Sequence, residues 1–139
     1  SRTITALRRI QDGKMPSESN LWRLVRDHLP KIHWQRIETG STAQGVPDLN
    51  GCFEGQEFWV ELKAVRGNQL GLRPMQISWL AQRAMHGGKC FVLGRKNQTI
   101  RLFRVGSLSE IKGLKWTSPH TIELSSPFTW ELLHEALIR

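Results

Sequence analysis

Apolar residues recur along this chain with two periods. Leu21, Trp22, Val25, His28 and Leu29 fall three and four residues apart, the stripe of a helix resting on a core. That helix is predicted over residues 17–29, with Ser17 as its N-cap and Pro30 as its stop. Ile77, Leu80, Ala81 and Ala84, adjoined by Met75 and Trp79, repeat the pattern over residues 74–86. Pro74 suits a first helical turn there and Gly87-Gly88 an end. Trp130, Leu133, Ala136 and Leu137 make a third stripe, for which Ser126-Pro127 is the predicted cap. A short helix is predicted after Ser107, whose spacing from Glu110 matches a capping box.

The second period is two. Residues 31–39 alternate imperfectly, Phe58, Trp59 and Val60 form an apolar run, residues 89–94 are almost wholly apolar, and residues 99–105 mix apolar with basic positions. These read as strands, the 89–94 run as one covered on both faces. In the 99–105 strand Arg101 and Arg104 fall on opposite faces. Asn50-Gly51 and Glu54-Gly55 carry turn signals, and folding back after Asp48 would make a hairpin with the Phe58 strand. The strand–helix–strand succession over 58–94 is expected to be a right-handed β-α-β unit. Residues 112–124 are basic and irregular, and no element is predicted there. The sum is an α/β domain, a central mixed sheet of four or five strands flanked by helices. A basic arm covers 1–16, the core about 17–105, and a C-terminal helical extension 106–139.

At 139 residues the chain is long enough for one domain with its own core. Twenty Lys and Arg against twelve Asp and Glu give a net charge of +8, which favours a polyanionic partner, nucleic acid before membrane. No apolar run is long enough to span a membrane and no leader pattern opens the sequence. Cys52 and Cys90 make no disulfide framework, nor do they form a zinc spacing with His28, His33 or His86. The expected setting is therefore cytoplasmic, or nuclear in a eukaryote. No phosphate-binding P-loop is present, so no nucleotide cofactor is expected.

The residues with chemistry to offer gather in the stretch 45–63. Asp48 follows a turn signal, and Glu61 and Lys63 stand two apart on the predicted strand, so they project together while Val60 and Leu62 point to a core. With the hairpin closed, Asp48 comes alongside Glu61. Two adjacent carboxylates repel unless a cation lies between them, and all-oxygen ligands suit magnesium, which keeps several waters and takes further ligands from phosphate. Lys63 could position an attacking water or neutralise charge developing on phosphorus oxygens. An isolated Glu-x-Lys on a strand is ordinarily a solvated ion pair of little weight; the Pro47-Asp48 pair ahead of it makes the phrase more specific.

Pro47-Asp48, a spacer, then Glu61-Leu62-Lys63 resembles the signature of the PD-(D/E)XK nuclease superfamily. Gly45 two residues before the pair, with Gln76 and Trp79 in the next helix, is similar to the VRR-NUC branch, whose members include small forms like Holliday-junction resolvases. The resemblance runs from about Glu18 to Arg95. It implies magnesium-dependent cleavage of DNA, with manganese able to substitute, and branched or four-way-junction DNA as the favoured substrate. Asp48 and Glu61 would bind metal with the Leu62 carbonyl, Lys63 would handle water, and Gln76 would orient substrate or metal. Glu18 would reach the metal directly or through water, although an acid in a first helical turn is also explained by the helix dipole. Two cuts from one site per chain would call for a homodimer. Flap cleavage, nicking, exonuclease action and a non-catalytic nucleic-acid-binding module are the alternatives.

Contacts with DNA phosphates are expected from basic and small polar residues around that site. Arg66 and Arg73 lie in a Gly-containing loop after Lys63, a phosphate clamp or else a mobile crossover. Arg23 and Arg26 lie off the first helix's apolar stripe. Ser41 and Thr42 sit in the loop 40–45, which could bond a phosphate or merely turn the chain. Arg8, Arg9 and Lys14 belong to the basic arm, which could touch DNA or dock as an ordinary terminus.

Overall fold

Among the described residues, six strands stand in one mixed sheet in the order of the sequence: β1 (His33–Arg36), β2 (Leu49–Phe53), β3 (Gln56–Ala64), β4 (Cys90–Lys96), β5 (Thr99–Arg104) and β6 (Ile122–Ser125). All neighbours are antiparallel except β3 and β4, which run parallel because a helix carries the chain back between them. The helices among the described residues are α1 (Pro16–His28), α2 (Pro74–Met85), α3 (Leu108–Lys112) and α4 (Trp130–Ile138). The computed structural model describes residues 16–38 and 44–139. Arg8, Arg9, Lys14, Ser41 and Thr42 lie outside the described residues.

Strand alternation divides the interior in two. Phe58, Val60, Leu62, Phe91, Leu93, Ile100 and Leu102 face α1 and α4, where Leu21, Val25, Leu133 and Leu137 meet them. Cys90, Val92 and Phe103 face the other way, toward Leu80 and Ala81 of α2 and Ile111 of α3. Each buried aliphatic or aromatic side chain contributes about 1.5–3 kcal/mol by leaving water. The apolar β4 run is thus covered on both faces, as its sequence implied.

Three details differ from the sequence reading. Asn50-Gly51 does not turn the chain but lies inside β2. A Cβ on Gly51 would fall 2.4 Å from the Phe58 ring and 2.9 Å from that of Trp34, so the glycine makes room for two aromatic rings. The turn is at Glu54 and Gly55, whose φ values of 47° and 80° are what a two-residue hairpin requires. The sheet gains a sixth strand, β6, from the stretch that showed no pattern. At Ser126 the chain is still paired with the sheet, its N–H bonding the Gln98 carbonyl at 3.0 Å, and the last helix begins later than expected. It starts at Trp130 after Thr129. The short α3 does begin as expected, with Ser107 Oγ accepting the Glu110 N–H at 3.3 Å. Arg101 and Arg104 do take opposite faces, Arg101 pairing with Glu123 at 2.8 Å over Trp116 and Arg104 lying over Phe91.

Candidate active site

The β2–β3 register sets Leu49 opposite Val60 and Asn50 opposite Trp59. Asp48, one residue before β2, therefore reaches Glu61 and Leu62. Its Oδ2 accepts the Leu62 N–H at 2.8 Å, taking the position of a ladder partner where β2 has ended. Its carbonyl accepts the Ile37 N–H at 2.7 Å, which fixes the backbone from the other side. The Leu62 carbonyl faces the same sheet edge as its N–H, toward Asp48.

Glu61 and Lys63 project from β3 on the α2 side of the sheet and are nearly closed off, at 2% and 9% exposure, beside Gln76 at 6%. Lys63 Nζ donates to Gln76 Oε1 at 3.0 Å, and the Arg73 N–H donates to the same oxygen at 2.9 Å. Both partners are donors only, so chemistry alone assigns the oxygen to that position. Gln76 caps its own helix and holds the lysine. The turn before Asp48 is also locked to α2. Gly45 has φ 88°, and a Cβ there would lie 2.4 Å from the Met75 carbonyl oxygen. Gly45→Ala is expected to destabilise the fold by about 2–3 kcal/mol, from left-handed strain and this backbone clash, read as a lower Tm with the unfolding slope unchanged.

Charge in this pocket is poorly compensated. Burial, then a hydrogen bond that protonated Glu61 donates to Asp48 and the Asp48 charge, drive the Glu61 pKa up to about 10, against a smaller downward pull from Lys63; Glu18 adds a small push upward. Glu61 Oε2 is buried without a hydrogen-bond partner among the described residues, and such an atom costs about 1–3 kcal/mol or more if left so. A divalent cation bound by Asp48, Glu61 and the Leu62 carbonyl would satisfy it, so the residues fit a hard metal ion. No group of three or more His, Cys, Asp or Glu converges among the described residues. Glu18 thus stands outside the carboxylate pair, at the start of α1, although its charge is felt at Glu61. That arrangement suits contact through water rather than direct ligation.

Asp48, Glu61, Leu62, Lys63 and Gln76 are therefore brought together. The basic residues are not gathered with them, and those of α1 belong to the helix on the other face of the sheet. Arg66 and Arg73 are exposed on the β3–α2 connection, and Arg23 and Arg26 on the outer side of α1, Arg26 in an exposed pair with Asp27. The connection is tied down rather than free. Lys96 Nζ bonds the Gly67 carbonyl at 2.9 Å, and Asn68 takes N–H bonds from Trp116 and Thr117 at 2.9 and 3.0 Å. The irregular basic stretch after α3 thus acts as the anchor of this loop, which no periodicity could have revealed. The Lys63–Gln76 bond was missed too, because it joins residues of different elements.

No helix among the described residues is long and apolar enough to cross a membrane. No family model matches the chain, and no curated protein matches it. Among solved structures it is similar to Hjc, a Holliday junction resolvase of Archaeoglobus fulgidus. That likeness has a TM-score of 0.51 and 14% identity, covering 79% of this chain and 86% of the other. The fold of this protein is the α/β fold of that archaeal resolvase.

Proposed function

We propose that this protein is a metal-dependent, structure-specific DNA endonuclease of the PD-(D/E)XK kind, on the VRR-NUC-like branch, acting on branched DNA such as four-way junctions. The observation that carries the reading is the convergence of Asp48 with the buried Glu61 and Lys63, with an unpartnered Glu61 oxygen, on a resolvase-like fold. Asp48, Glu61 and the Leu62 carbonyl would hold magnesium or manganese, with Glu18 acting through water. The bound ion would supply Lewis acidity and a more acidic water. Lys63, held at Nζ by Gln76, keeps two further donors to orient a water or a phosphate oxygen. Arg66 and Arg73 offer guanidinium groups to flanking phosphates, and the net charge of +8 draws the polyanion in. The arm residues Arg8, Arg9 and Lys14, with Arg23, Arg26, Ser41 and Thr42, would extend that contact.

A four-way junction carries two equivalent strands to be cut, so a homodimer with one site per protomer follows from this reading. The test offers a junction, a splayed arm, a flap, linear duplex and single strand in parallel, with magnesium. Paired symmetric cuts confined to the junction are the expected result, from a species of twice the chain mass. Cutting of flaps or single strands alone would keep the metal site and discard the junction, and binding without any cutting would leave a nucleic-acid-binding module.

A further inference from the structure

Next to the acidic pair lies a second cluster of a different chemistry. Trp59 precedes Glu61 by two residues on the same face of β3, about 6.6 Å along the strand. Trp79 follows Gln76 by one turn of α2. The two indoles meet edge to face with centroids 5.1 Å apart. The Arg83 guanidinium lies over both rings, 4.6 Å from the Trp79 centroid and 5.4 Å from that of Trp59. Both tryptophans are half-buried and Arg83 is exposed. The antiparallel register continues the Trp59 row into Asn50 of β2 and Gln35 of β1, which share its face and are half-buried and exposed. The two indoles and Arg83 thus cluster beside Asn50 on the face of the sheet that carries Glu61.

We propose that Trp59, Trp79 and Arg83 form a stacking subsite for an unpaired nucleobase next to the scissile phosphate, which makes the protein prefer DNA with single-stranded character. This rests on the nuclease reading for the word scissile, while the subsite itself is defined by binding. A guanidinium plane backed by two indoles accepts a base on its outer face, and such stacking tolerates any sequence because every base has a π-face. A paired base inside a duplex offers no free face, so linear duplex gains nothing from the cluster. Closing the edge of the core explains why the indoles are apolar, but it does not require an exposed arginine aligned over both.

The test measures anisotropy of a labelled oligothymidylate and of a blunt duplex of the same length. Wild type, Arg83→Ala and Arg83→Lys are compared in chelator at fixed salt, with Tm recorded for each variant. Both substitutions are expected to weaken oligothymidylate binding about tenfold, the scale of losing one stacked base, and to leave duplex binding within about twofold. Recovery of wild-type binding by Arg83→Lys would reassign the residue to a point contact with phosphate and overturn the proposal. Equal losses on both probes, or none on either, would also overturn it. Wild type that follows the expected pattern yet cuts nothing with magnesium would remove the catalytic reading and keep the subsite. Cleavage by wild type together with unchanged oligothymidylate binding in both variants would do the reverse.

Discussion

Lys63→Ala is expected to lower the proposed magnesium-dependent DNA cleavage by about 10²–10⁴-fold, while affinity for the same DNA changes by less than about threefold. The separation follows from where the ammonium sits. It is 9% exposed, hydrogen-bonded to Gln76 Oε1 and two residues from Glu61, so it faces the proposed reacting centre rather than the approach surface. Gln76→Ala acts through Lys63 and is expected to cost less, about tenfold, because the ammonium stays present but is less well held. Single-turnover cleavage alongside binding in chelator gives both numbers. Equal losses of binding and cleavage in Lys63→Ala would mean that the lysine is a phosphate contact.

The second large effect concerns the cation and pH. The folded protein holds the Glu61 proton well above the pH at which the unfolded chain releases it, since burial and Asp48 push the pKa from 4.5 to about 10. Between those values the folded state binds more protons than the unfolded one. Metal-free stability therefore falls as pH rises from about 5 toward 10. A cation reverses the penalty by taking the place of the proton. Magnesium at about 100 times its Kd adds about 2.7 kcal/mol, several degrees in Tm, and one fixed magnesium concentration adds more at pH 8 than at pH 6. In Asp48→Ala this stabilisation is lost. Glu61→Gln melts higher than wild type in chelator at pH 8 and no longer responds to magnesium, a gain of stability bought with function. Thermal melts at two pH values, with and without magnesium, check all four statements. A metal-free Tm that climbs with pH through this window would contradict the buried, protonated Glu61.

What the sequence made legible was local. The two-residue period placed Glu61 and Lys63 on one face, and the turn signals returned Asp48 to their side. The helix of Leu80 and Ala81 was plain from its stripe and from Pro74. Strand β6 was hidden because it has four residues, with Leu124 buried and Ile122 partly buried against the same core, and two inward positions are too few to make a period. Asn50-Gly51 misled because Asn-Gly is the commonest hairpin turn, while the need for a small residue under Phe58 and Trp34 arises only once three strands are assembled. Gln76 could be singled out from a resemblance, yet its grip on Lys63 depends on the β3–α2 connection turning back over the sheet. The Arg83 stack joins a strand to a helix and has no signature in either.

The two cores on either side of the sheet divide the chain's duties unequally. Apart from Glu18, the groups proposed for the chemistry come from β3, α2 and the residue just before β2, whereas α1 and α4, at opposite ends of the described chain, close the core beneath them. A screen for alleles without nuclease activity would therefore collect two populations. Changes at Asp48 or Lys63 would leave normal amounts of a silent protein, and changes at Leu133 or Leu137, far from any reacting atom, would deplete the protein itself.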